Sequence, residues 1–141
     1  MNYPVSFIDY CDALTLKLTA LRKSVLYILW LAKKPIKAYE ILNELLTMKP
    51  NATPPTVYRA LDFFVAQGVL HKIESIQSYT LCCEPAKQLP SEILMVCNSC
   101  HQVIELYDML ACTVLTKIST EQSFRLNHDV IELKGTCYSC L

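Results

Sequence analysis

Glycine is nearly absent: the 141 residues contain only Gly68 and Gly135. A chain this poor in glycine has no phosphate-cradling loop, which excludes P-loop and dinucleotide-binding enzymes. Excess charge is missing too. Thirteen basic side chains face thirteen acidic ones, so a nucleic-acid reading cannot rest on bulk electrostatics. Nor is there an apolar run of about eighteen residues, because Lys33 and Lys34 close the longest one. No membrane span is expected. The opening Met-Asn-Tyr-Pro-Val-Ser-Phe lacks a charged region followed by an apolar one, so no signal peptide is expected. The cytoplasm is the expected compartment.

Cysteine, in contrast, is abundant, at eight residues. Such a count means a disulfide framework outside the cell or metal ligation inside it. Inside, thiols stay reduced and serve as ligands, buried apolar groups or reactive groups. The balanced charge is also unevenly spread. Residues 1–80 carry nine Lys/Arg against six Asp/Glu, and residues 81–141 carry four against seven. The mildly basic first half suits a phosphate backbone.

Apolar spacing predicts a helix over 4–16 (Val5, Ile8, Ala13, Leu16). A second runs from a Thr19 cap through Val25, Ile28, Leu29 and Ala32 to a stop at Pro35. A third carries Ala38, Ile41, Leu42 and Leu45. A fourth has Thr53 as cap, Pro54 and Pro55 in its first turn, and Val57, Ala60, Leu61, Phe64 and Val65 on one face. Gly68 ends it. Its opposite face presents Thr56, Tyr58, Arg59 and Asp62. The period then changes to two: Val69–Ile73 and Ser78–Cys82 read as a hairpin. The last three of these helices followed by a hairpin give the order of a winged helix-turn-helix, which places the helix before the hairpin in the major groove.

Residues 83–92 read as a linker with two prolines. Strands are expected at Ile93–Val96, Gln102–Leu106 and 124–134, with a helix over Ala111, Val114, Leu115 and Ile118. Cys97-x2-Cys100 and Cys137-x2-Cys140 are two knuckles of the spacing that presents paired thiolates to one zinc. Each follows a strand, so both can meet at the end of one sheet. Such a site has four protein ligands, hence no open position for chemistry. A thioredoxin-like enzyme is disfavoured, because neither pair opens a helix in a βαβ unit. The expected class is α+β: an N-terminal winged helix-turn-helix (residues 1–81), a hinge (82–92), and a C-terminal α/β domain (93–141) with a four-cysteine zinc site.

The chain resembles the ferric uptake regulator family. Residues Pro54 through Phe63, Gln67-Gly68, His71-Lys72, Cys97-x2-Cys100, Val103-Ile104-Glu105, His128 and the terminal knuckle carry the resemblance. Within the family, Tyr58–Phe63, His71–Ser75, Ser78–Cys82 and Val130–Glu132 are most similar to the zinc uptake regulator branch. The resemblance implies a homodimeric, zinc-responsive repressor of zinc uptake genes. Its partner would be double-stranded operator DNA, with no small-molecule substrate and no enzymatic activity. It implies Arg59 as base reader, Tyr39, Tyr58 and Thr56 as further DNA contacts, and His71, Cys82 and Glu105 as ligands of a regulatory zinc at the hinge. A thiolate among them favours zinc over iron or manganese. The branch's fourth ligand is a linker histidine; Pro90 stands there in this chain, and proline cannot ligate. Glu92 is the nearest substitute, with Cys83, Glu84 or water as others. Weaker zinc, another metal such as iron or manganese, or lost sensing are the consequences to weigh, with a redox-active Cys-x-x-Cys protein as the other class. His101 replaces the family's glycine after the second knuckle cysteine and is expected to be exposed or to donate to a thiolate. His128 matches a ligand of some relatives, or is a core histidine. Cys11 and Cys112 show no ligand pattern.

Overall fold

The computed structural model describes residues 2–83, 92–126 and 130–141. The chain forms two compact units, residues 1–85 and 86–141.

In the first unit, α1 (Val5–Leu14), α2 (Ala20–Ala32), α3 (Ala38–Met48) and α4 (Pro54–Ala66) precede a hairpin of β2 (Leu70–Ile73) and β3 (Ser78–Leu81). Local chemistry sets each boundary. Thr19 caps α2 by accepting the Arg22 N–H at 3.3 Å. Lys33, in the left-handed region at φ 52°, ends α2 two residues before Pro35. Thr53 and Thr56 form a capping box on α4, whose first two positions are prolines. Gly68 then turns the chain at φ 74°, a conformation that costs a residue with Cβ, and its N–H bonds the Val65 carbonyl at 3.0 Å. A short strand β1 (Ile36–Lys37), not foreseen from the sequence, pairs with β3 through Ile36↔Tyr79, so the sheet order is β1-β3-β2. Two residues are too few to show a period of two.

The core of this unit joins Val25, Leu26, Leu29, Ile41, Leu45, Val57, Leu61, Phe64 and Leu70. Each such side chain contributes about 1.5–3 kcal/mol on burial. From α1 the core takes Phe7 and Cys11, one turn apart, while Val5 and Ile8 stay exposed. That corrects the apolar face read from the sequence. The aromatic set explains it: Phe7 lies 4.9 Å from Tyr27 and 5.5 Å from Trp30, ring centre to ring centre, and dominates the contact with α2.

In the second unit, β4 (Glu92–Cys97), β5 (Val103–Leu106), α5 (Met109–Glu121) and β6 (Val130–Gly135) form a three-stranded sheet, order β5-β4-β6, with one helix. Asp108 caps α5 by accepting from the N–H groups of Leu110 and Ala111 at 2.9 and 3.1 Å. β5 runs antiparallel to β4, and β6 parallel to it. The parallel pairing follows from the helical crossover, since parallel neighbours need a long connection. The strand expected over 124–134 does not begin at Phe124. Ser123 turns left-handed at φ 53° and the Phe124 N–H caps α5 at the Ser119 carbonyl, 2.8 Å away; Phe124–Leu126 are not strand. His128 lies outside the described residues.

Candidate metal centres and nucleic-acid interface

The parallel register β4–β6 pairs Cys97 with Gly135. It therefore brings both knuckles to one end of the sheet. The sulfurs of Cys97, Cys100, Cys137 and Cys140 all lie within 4.8 Å of one another. Cys100 Sγ and Cys137 Sγ are 3.6 Å apart, and the Cys137 N–H reaches Cys97 Sγ at 3.3 Å. Zinc–sulfur bonds of about 2.3 Å at tetrahedral corners put sulfurs about 3.8 Å apart, so the donors fit this ion. The thiols do not ionise alike. Backbone N–H groups of Cys100, Cys137 and Ser99 pull the Cys97 thiol down to about 6. Hydrogen bonding to the Cys137 and Cys100 sulfurs pushes the Cys140 thiol up to about 12. Four thiolates this close repel one another, and a dication removes the repulsion. His101, beside the second cysteine, is exposed at φ 62° with its N–H on the Cys97 carbonyl at 3.0 Å. The glycine of the resemblance would suit that backbone.

A second donor pair lies in the N-terminal unit. β2 and β3 pair antiparallel, His71 opposite Thr80, and the Cys82 N–H bonds the Val69 carbonyl at 2.8 Å. Residues 71, 80 and 82 therefore share one face. His71 nitrogen and Cys82 sulfur come within 4.8 Å, and both side chains are buried, His71 with 2 % exposure. A buried imidazole and a buried thiol form a borderline-soft donor set that zinc suits. His71 is therefore not an exposed strand residue. Cys83 is exposed; Glu84 and Pro90 are outside the described residues.

In the C-terminal unit, Glu105 stands on β5 opposite Leu94 and accepts from the Tyr107 hydroxyl. Glu92 opens β4, two residues before Leu94, so Glu92 and Glu105 are diagonal neighbours on one face. Glu132, opposite Leu94 on β6, joins them. All three are half-buried. Sequence reasoning missed Tyr107 and Glu132; the parallel strand order that aligns Glu132 is no local property. Cys11 and Cys112 are buried, as packing residues are.

The face of α4 opposite the core presents Tyr58, half exposed, and Arg59. Tyr39 is exposed at the start of α3. Thr56 is half-buried, its hydroxyl accepting the Thr53 N–H at 3.2 Å and donating to the Thr53 carbonyl at 2.7 Å. It stabilises the helix end that carries the exposed pair. An exposed arginine on the helix preceding a hairpin has the fork that suits guanine O6 and N7.

The chain has clear relatives. The family model described as the ferric uptake regulator family matches residues 13–134. The zinc uptake regulation protein of Escherichia coli (strain K12) is 36% identical over 131 residues, which is 93% of this chain and 77% of that protein. A solved zinc uptake regulator complexed with zinc and DNA superposes with a TM-score of 0.81 at 34% identity, covering 96% of this chain and 91% of that one. The crystal structure of holo XcZur gives 0.80 at 34% identity, covering 97% and 98%.

Proposed function

The chain belongs to the ferric uptake regulator family, and from that membership we propose that it is a zinc-responsive, homodimeric DNA-binding repressor of zinc uptake genes, acting in the cytoplasm. The observation that carries the reading is the buried His71–Cys82 pair beside the wing. A thiolate in that pair favours zinc over iron and manganese, which prefer N/O sites. Relatives support it: one is a zinc uptake regulation protein, and another was solved with zinc and DNA. Among the described residues no helix is long and apolar enough to cross a membrane.

In this reading residues 1–81 bind operator DNA, residues 82–92 are the hinge, and residues 93–141 dimerise. Cys97, Cys100, Cys137 and Cys140 hold a structural zinc. With all four positions filled by protein, that centre binds and does not catalyse, and the protein is a regulator rather than an enzyme. His71 and Cys82 hold the regulatory zinc with Glu105. Glu92 replaces the linker histidine; its place on the same sheet face as Glu105 supports that role. Zinc favours the arrangement in which two winged helices match the operator spacing, so metal affinity and DNA affinity rise together. Arg59 reads a base edge, with Tyr58 and Tyr39 beside it and Thr56 at the helix end.

The test counts zinc per protomer before and after equilibration with buffered free zinc, with DNA binding followed in parallel. Two zinc ions, the second switching DNA binding on, support the sensor. One zinc and DNA binding indifferent to added metal would falsify it. Switching by iron or manganese instead would move the assignment to another metal. Absence of stoichiometric zinc with a reactive Cys97 would favour the redox reading.

A further inference from the structure

Arg22 is not part of the DNA-contact set described above, yet it stands against the recognition helix. It lies in the first turn of α2. Its guanidinium carbon sits 3.6 Å above the centre of the Phe63 ring of α4. Phe63 follows Arg59 by four residues, so the two share one face of α4. Arg22 therefore places a second planar cation one helical turn from the proposed base reader. Its Nη1 donates to the Lys17 carbonyl at 3.3 Å, and its backbone N–H is taken by Thr19. Among the described residues Arg22 is in no ion pair; Lys72–Glu74 is one. Both Arg22 and Phe63 are half-buried.

A stack on an aromatic ring fixes the plane of the guanidinium. The carbonyl contact uses one donor and leaves the others without an acceptor among the described residues. A fixed fork with free donors and no carboxylate to neutralise it suits a doubly accepting oxyanion. On the face of a helix that enters the groove, the oxyanion within reach is a backbone phosphate of the duplex.

We propose that Arg22 is a phosphate clamp: stacked on Phe63 and tied to Lys17, it contacts one DNA phosphate per half-site and sets the depth and register of α4 in the groove. The proposal rests on the DNA-binding reading above. Phosphate contacts position a protein without reading sequence, so Arg22 differs in kind from Arg59. Its loss weakens binding to all sequences alike.

The experiment uses full-length, zinc-loaded protein and a duplex that the wild type selects from a randomised pool. Affinity is measured as a function of salt for wild type, Arg22→Met, Arg22→Lys and Arg59→Ala. Each phosphate contact contributes about 0.9 to the slope of log affinity on log salt. Arg22→Met keeps an apolar contact with Phe63 and removes the charge. Two protomers then lose about 1.8 from the slope, so wild type loses about ten-fold more affinity than the variant between roughly 50 and 200 mM salt. Arg22→Lys restores the slope, and Arg59→Ala changes sequence preference more than it changes preference-independent binding. An Arg22→Met slope equal to wild type overturns the clamp and leaves a packing role. Failure of the wild type to select any duplex overturns the DNA reading itself. A second measurement needs no variant: phenylglyoxal modification of Arg22 in the wild type, read by mass spectrometry. Protection by the duplex, absent with zinc alone, is expected. A modification rate indifferent to the duplex overturns the proposal even if Arg22→Met does not fold.

Discussion

The two units of this chain reach stability by different means. The N-terminal unit closes around one apolar cluster in which Phe7, Leu26, Ile41, Leu45, Leu61 and Phe64 are wholly buried. Among the described residues of the C-terminal unit, the buried side chains are Ile93, Leu94, Val96, Cys97 and Cys112. Leu110, Val114, Ile118 and Leu133 stay exposed there. The first unit has the larger apolar core. The second is a small sheet whose two strand ends carry the four cysteines, with several apolar side chains left exposed. Small units that bury little apolar surface depend on metal or association. The N-terminal unit is thus expected to fold by itself, and the C-terminal unit to need zinc and association.

The sharpest way to break this comparison is to remove the structural zinc. Binding of a structural zinc is worth about 10–16 kcal/mol in small zinc-folded peptides at neutral pH. Chelation, or Cys140→Ser, is expected to unfold the C-terminal unit and leave the transition of the N-terminal unit in place; calorimetry resolves the two. A single transition lost as a whole would show that the units do not fold independently. Next in size is Leu61→Ala, in the middle of α4. It is expected to cost about 2–5 kcal/mol in the N-terminal transition, with bound zinc at the four cysteines unchanged by metal analysis.

Arg59→Ala tests the surface of the same helix. It is expected to leave melting unchanged, to cost about 1–3 kcal/mol on operator DNA, and to relax sequence preference at one position. Unchanged binding in a competition assay would remove Arg59 from the interface. The smallest effect belongs to Thr53→Ala, which deletes one half of the α4 capping box. About 1 kcal/mol of stability should go, read from denaturant midpoints. No loss would mean that Pro54 and Pro55 hold the helix start by themselves.

Much of this was legible along the chain. Caps and breakers mark α2 and α4 because a hydroxyl, a proline or a glycine acts on its own neighbours. The cysteine pairs declare a metal because a two-residue spacer is a local geometry. Three features were not legible. The buried face of α1 is chosen by Tyr27 and Trp30 on another helix, which periodicity in α1 does not contain. Strand β1 exists because β3 offers it an edge. Phe124–Leu126 leave the expected strand because Ser123 turns left-handed, and serine is a residue type that does not announce such a turn.

The order of the helices and of the strands other than β1, the ends of α2 and α4, the four thiolates and the family were all written in the sequence. Tertiary structure alone decided what those residues can do together. The antiparallel hairpin register buries His71 beside Cys82. The parallel register β4–β6 brings cysteines 40 residues apart to one point and puts Glu132 on the face of Glu92 and Glu105. The packing of α2 on α4 lays Arg22 over Phe63. The physical reason is common to all three: spacing along a chain fixes only neighbours within a turn or a pleat, whereas register and packing fix which distant side chains share a face.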